Sequence, residues 1–155
     1  MALLRRRRPD AGFELRPIAR LACGAAKDMP SAFAAMKQGG AGSRTSQRSM
    51  RAIVFHGDCD TTVNPVNGDQ VIAQSKGGRE LRLDVSRGQS SGGVSYSKST
   101  QTDYDGRVML EQWVINGAGH AWSGGSTAGS YTDPKGPDAS REMVRFFLER
   151  ENAEV

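Results

Sequence analysis

The sequence predicts an α/β fold with few strands and flanking helices, and three observations carry that expectation. The apolar runs Ala52-Ile53-Val54-Phe55 and Trp113-Val114-Ile115 are short and continuous, as strands buried on both faces of a parallel sheet are. Helix-forming segments lie before, between and after them, so helices and strands interleave along the chain. Both histidines, His56 and His120, follow the ends of those runs, where an α/β sheet holds side chains that do chemistry.

Taken in order, residues 1–21 show neither helical nor strand period and read as a disordered basic head. Ser31–Gln38 is rich in helix formers, follows Pro30 and stops at Gly39-Gly40. It predicts a short helix started by Pro30 or Ser31. Gly39–Met50 reads as a polar linker, Arg51–Phe55 as a strand and His56–Asn64 as a turn. Pro65 suits the first position of a helix carrying Val66, Val71 and Ile72. Leu81-Arg82-Leu83-Asp84-Val85 alternates apolar and polar residues and reads as a strand, with a Gly/Ser-rich connection through Gly93. The runs Val94–Thr102 and Val108–Ile115 flank Asp103-Tyr104-Asp105-Gly106, a strong hairpin signal. Pro137-Asp138 then opens a helix with Met143, Val144, Phe147 and Leu148 on one face. These are too few strands for a whole α/β sheet. The chain divides into the basic head 1–21, a partial domain 22–150 and a tail 151–155.

The composition bounds the function. The 155 residues carry a net charge of +4, but its source is narrow. Residues 1–20 hold six arginines against two acids, and the remainder balances 15 basic with 15 acidic residues. The basic excess is a tail and not a binding face, so no nucleic-acid partner is expected. No apolar segment is long enough to span a membrane. Arg5–Arg8 runs into Pro9-Asp10 without an apolar region of useful length. The chain as written therefore has no secretory signal and is expected in the cytoplasm. Cys23 and Cys59 are too few for a disulfide framework and lack metal-ligand spacing.

The chemistry concentrates in two stretches. His56-Gly57-Asp58-Cys59-Asp60 sets two carboxylates on a turn after a strand. Either could accept the Nδ1 proton of an imidazole, fixing its tautomer and stabilising the imidazolium as it forms. The same aspartates could simply cap the turn before Pro65. Gly117-Ala118-Gly119-His120-Ala121-Trp122-Ser123-Gly124-Gly125 sets a histidine on a glycine-rich loop after the second run. Acid after one strand and histidine after a later one is the chain order of the last two members of an α/β-hydrolase triad. Trp122 and Tyr131 flank the histidine loop. They either stack on a sugar or ferulate-type ring at a pocket mouth or pack beneath the loop itself.

These residues also carry a resemblance. The run Phe55-His56-Gly57-Asp58-x-Asp60-Thr61-Thr62-Val63-Asn64-Pro65-x-Asn67-Gly68-Asp69-Gln70 resembles the acid region of the polyhydroxybutyrate depolymerase and feruloyl/acetylxylan-esterase-like family of α/β-hydrolases. Trp113–Gly125 resembles its histidine region. The likeness continues through Tyr131-Thr132-Asp133-Pro134, Gly136-Pro137-Asp138-Ala139-Ser140 and the last helix, and upstream through Gly24–Met36. It covers about residues 22–150 and implies the C-terminal portion of an α/β-hydrolase sheet, incomplete. It implies Asp60 as the triad acid, His120 as the general base, and Trp122 and Tyr131 as substrate-binding residues. The substrate would be an ester, a polyester or an acylated polysaccharide, and members of this family are often secreted.

The departure from the family is equally informative. Its serine stands in a Gly-x-Ser-x-Gly elbow upstream of the matched region, and nothing before Asp28 offers one. The literal match Gly88-Gln89-Ser90-Ser91-Gly92 follows Asp60 and leads into a hairpin, whereas an elbow joins a strand to a helix. The basic head fits a start or reading frame disturbed just upstream of residue 22. A serine esterase uses serine, histidine and backbone amides and needs no metal or organic cofactor. The expectation is therefore the acid-and-base half of a serine esterase, without esterase activity on its own. A non-catalytic carbohydrate- or partner-binding module is the alternative, and a non-functional remnant a third reading. Missing strands would leave the Ala52–Phe55 edge unpaired and prone to self-association.

Overall fold

The computed structural model describes residues 28–38 and 50–148, which form a mixed α/β structure. The expectations for residues 1–21, 39–49 and 151–155, and for Cys23, lie outside the described residues. Helix α1 spans Met29–Gln38. Strand β1 spans Ala52–Gly57 and α2 Val66–Lys76. Strands β2 (Arg82–Gln89), β3 (Ser95–Thr102) and β4 (Val108–Ile115) follow. The short strands β5 (Trp122–Ser123) and β6 (Thr132–Asp133) precede α3, Ala139–Leu148.

Four strands make one sheet in the order β1-β4-β3-β2. β1 and β4 are parallel, Phe55 opposite Trp113 and Gly57 opposite Ile115. β4, β3 and β2 form an antiparallel meander. The two continuous apolar runs thus pair with each other at the buried end of the sheet. The polar strands β3 and β2 take the other end. A period of two sorts the side chains between faces. Ala52, Val54 and Leu110 pack with Val71 and Ile72 of α2. Ile53 and Trp113 pack with Phe146 of α3. Ile53, Val54, Leu110 and Phe146 are almost wholly buried, and each contributes about 1.5–3 kcal/mol by leaving water.

Turn chemistry sets the ends of these elements. α1 begins with a reciprocal cap in which the Ser31 amide donates to Asp28 Oδ1 and the Asp28 amide to Ser31 Oγ. The start is thus fixed by Asp28, two residues before Pro30 and three before Ser31, because a carboxylate accepts the orphan amides of the first turn. α2 ends at Gly77, at φ 61°, the left-handed cap that glycine takes without strain. The β3–β4 hairpin forms as expected. Asp103 Oδ1 accepts the amides of Asp105 and Arg107, and Gly106 sits at φ 79°. Asp138 caps α3 by accepting the Arg141 amide.

Three expectations are corrected. The Gly/Ser-rich connection shrinks to Ser90–Val94, because β2 runs on to Gln89 and its ladder with β3 is regular over all eight residues. A strand needs donors and acceptors opposite it more than apolar side chains, and β3 supplies them. The alternation in β2 does not mark a buried face, since Leu83 and Val85 are 60% and 56% exposed. The buried stripe of α3 is also rotated. Ala139 and Phe146 are buried, with Met143 and Phe147 partly so, while Val144 and Leu148 face solvent. Phe146 takes the core position because its ring lies against Ile53 and Trp113.

A buried carboxylate joins α3 to the sheet. Glu111 on β4 accepts from Arg145 at 2.6 and 2.8 Å and from the Trp113 indole at 3.2 Å, with Lys98 Nζ at 3.3 Å. Burial alone would lower the Arg145 guanidinium, but Glu111 and Glu142 outweigh it and raise it above its ordinary value. The group stays charged.

Candidate functional site

The site lies at the carboxyl ends of β1 and β4, the parallel pair. Because these strands are adjacent and parallel, the turn after one and the loop after the other leave the sheet side by side. Backbone contacts then staple them. The Asp58 amide donates to the Ile115 carbonyl (3.2 Å) and the Cys59 amide to the Ala118 carbonyl (3.0 Å). The Gly117 amide donates to Asp58 Oδ1 at 2.6 Å. Gly57 permits this approach, since a Cβ there would come within 2.6 Å of the Ala118 carbonyl carbon and 2.8 Å of the Gly119 oxygen.

Stapling in this way brings Asp60 and His120 together. His120 Nδ1 is 2.9 Å from Asp60 Oδ2. The other carboxylate oxygen, Oδ1, accepts the amides of Thr62 (2.9 Å) and Val63 (2.8 Å). Burial is the largest single influence on Asp60 and pushes its carboxyl up. The Val63 and Thr62 amides and the His120 imidazole together prevail and hold it below the ordinary carboxylate range. The Asp60 side chain is 6% exposed and that of His120 is 40%. The carboxylate is therefore a fixed, buried acceptor and the imidazole its solvent-facing donor. His120 Nε2, on the far side of the ring, makes no hydrogen bond within the described residues.

Asp58 has a different task. Spacing alone left Asp58 and Asp60 equivalent as acids. The structure points Asp60 at the imidazole and turns Asp58 to the Gly117 amide, where it latches the histidine loop. Asp58 also raises the neighbouring Cys59 thiol, by hydrogen bond and then by charge. His56 lies beneath the pair and was not among the expected site residues. Its Nε2 donates to the Val63 carbonyl at 2.9 Å and stands 3.4 Å from Asp60 Oδ2. Its Nδ1 is buried without a partner and faces Gly68, where a Cβ would stand 3.3 Å away. The sequence signal for it was present, a histidine closing the strand four residues before the acid.

A small cleft beside the pair is lined by Phe55, Asp60, Ile115, His120, Ser123 and Asp133, among others. Its volume of about 20 Å³ is room enough for a water molecule. Trp122 is half-buried and Tyr131 is 78% exposed, and neither lines the cleft. The loop carrying them is tied throughout. The Trp122 amide donates to Tyr131 O and the Gly124 amide to Asp133 O, both at 2.7 Å. Ser123 Oγ donates to the Pro137 carbonyl at 2.6 Å. Tyr131 takes φ 56°, a conformation that costs a non-glycine residue about 1 kcal/mol. Ser90 lies in the β2–β3 turn, its hydroxyl donating to the Lys135 carbonyl.

No protein-family model matches the chain, and no curated protein matches it significantly. No group of three or more His, Cys, Asp or Glu side chains among the described residues is arranged to hold a metal ion. No helix among them is long and apolar enough to cross a membrane.

Proposed function

We propose that the chain carries the acid and base of a serine-esterase catalytic triad, Asp60 and His120, as the C-terminal portion of an α/β-hydrolase. One observation carries this reading: a buried carboxylate, locked by two backbone amides, accepts the Nδ1 proton of a half-exposed histidine. That arrangement fixes the Nδ1–H tautomer and leaves the Nε2 lone pair outward, the form that takes a proton from an attacking hydroxyl. His56 and Asp58 are positioning residues, one beneath the carboxylate and the other on the loop latch. The ester would be a polyester or an acylated polysaccharide. The nucleophile is not supplied by Ser90, whose hydroxyl is engaged elsewhere.

Side-chain ¹⁵N spectra test the dyad. The neutral His120 ring is expected as the Nδ1–H tautomer, and Asp60→Asn should shift it toward Nε2–H. A parent chain already in the Nε2–H form would overturn the reading. Hydrolysis of a short p-nitrophenyl ester tests the missing nucleophile. The purified chain and His120→Ala should both run at the buffer rate, and a His120-dependent turnover would show a nucleophile within the chain.

A second reading rests on Tyr131, an exposed aromatic ring held at positive φ beside Trp122. Such a ring can stack on a sugar face without any turnover. Quenching of tryptophan fluorescence by xylo-oligosaccharide, lost in Tyr131→Ala, would favour this reading.

A further inference from the structure

Among the described residues the sheet has two edge strands: β1, whose side chains are mostly buried, and β2, whose side chains are mostly exposed. Edge strands are guarded by proline, charged side chains or a bulge. In β2, Arg-Leu-Asp-Val-Ser-Arg-Gly-Gln has no proline or bulge, and its charges, Arg82, Asp84 and Arg87, alternate in sign instead of repelling a second copy uniformly. Its hydrogen-bonding parity can be read from the neighbouring turn. The Ser90 amide donates to the Val94 carbonyl, and those residues continue the β2–β3 register. Bonded pairs alternate along an antiparallel ladder, so residues 82, 84, 86 and 88 bond to β3. Leu83, Val85 and Arg87 turn their amides and carbonyls outward. Leu81, Leu83 and Val85 share one face of the strand, and Leu81 packs against the α2-side core. Arg82 and Asp84 share the other face and are exposed.

From this we infer that β2 pairs antiparallel with β2 of a second copy, joining two sheets into one of eight strands, with Leu83 at the two-fold axis. In that register Leu83 opposes Leu83, and Leu81 opposes Val85 on each side of it. These pairs extend the apolar α2-side face across the junction. On the opposite face Arg82 of each copy stands against Asp84 of the other. Shifting the centre to Asp84 sets two carboxylates face to face. Moving it to Val85 sets Leu83 against Arg87. Among these three centres, only Leu83 matches charge with charge and apolar with apolar, and cross-strand pairs of both kinds favour a register.

Sedimentation velocity over a concentration series tests the pairing. The parent chain should pass from monomer to dimer. Arg82→Asp and Asp84→Arg each set like charges opposite one another, and each should raise the dimer Kd by about tenfold or more. The double variant R82D/D84R restores opposite charges in the same register and should recover the parent Kd. Near-UV circular dichroism of Trp113, which lies in the core, reports whether each variant is folded. A parent chain that stays monomeric overturns the inference, as do single reversals without effect or a double variant that stays weak.

Discussion

At the scale of single residues, Asp60 couples the site to stability. Its carboxyl lies below its ordinary range in the folded chain, so the folded state binds fewer protons than the unfolded one in acid. The stabilisation is complete above the unfolded value near pH 4 and is lost as pH falls through the lower folded value. Asp60→Asn should therefore lower the urea midpoint at pH 7, by about 1–2 kcal/mol in stability, and flatten the decline between pH 5 and 2. Parallel acid limbs in the two proteins would contradict this. Gly57 tests the staple. The atoms that a Gly57→Ala side chain would strike are backbone and cannot rotate away. A cost of about 1–3 kcal/mol is expected, with a changed His120 environment in ¹H–¹⁵N spectra.

At the scale of elements, the bond between α3 and the sheet is electrostatic as well as apolar. Glu111→Ala removes the shared acceptor of Arg145, Lys98 and the Trp113 indole. Breaking a buried ion pair costs about 3–5 kcal/mol. Arg145 and Lys98 retain 30% and 22% side-chain exposure and can rehydrate, so the lower end, about 3 kcal/mol, is the expected loss. Thermal melts of Glu111→Ala and Glu111→Gln would check it, with Gln the milder change.

The elements also show which features a sequence can reveal. β1 and β4 were legible because a strand buried on both faces must be apolar without interruption. β2 misled because the signature of a half-buried strand appears equally in an edge strand whose apolar residues face water. The buried face of α3 is not legible from sequence because Val144 and Leu148 complete an apolar stripe that only the position of Ile53 and Trp113 resolves. Asp60 and His120 could be named from their motifs. Their contact follows from the parallel pairing of β1 and β4, and Asp58 became a latch only through the path of the Gly117 backbone. His56 carried no visible role until the Val63 carbonyl folded over it.

At the scale of the whole molecule, the four-stranded sheet combines two kinds of pairing. β2, β3 and β4 meet through tight turns, with Gln89 opposite Ser95 and Thr102 opposite Val108. β1 meets β4 only across a long separation, with Ala52 opposite Leu110. Closing that long loop costs more chain entropy than closing either hairpin. The meander should consequently form first and β1 should dock late, so the two kinds of substitution act on different rates. Gly106→Ala, which strains the β3–β4 turn, should chiefly slow refolding. Ile53→Val, which weakens β1, should chiefly speed unfolding. Stopped-flow fluorescence of Trp113 measures both, and the reverse pattern would place β1 in the nucleus. The staple between the two strand ends thereby acquires a temporal meaning. On that order Asp60 and His120 belong to the halves that meet last, so their hydrogen bond should serve as a clock mark for completed folding.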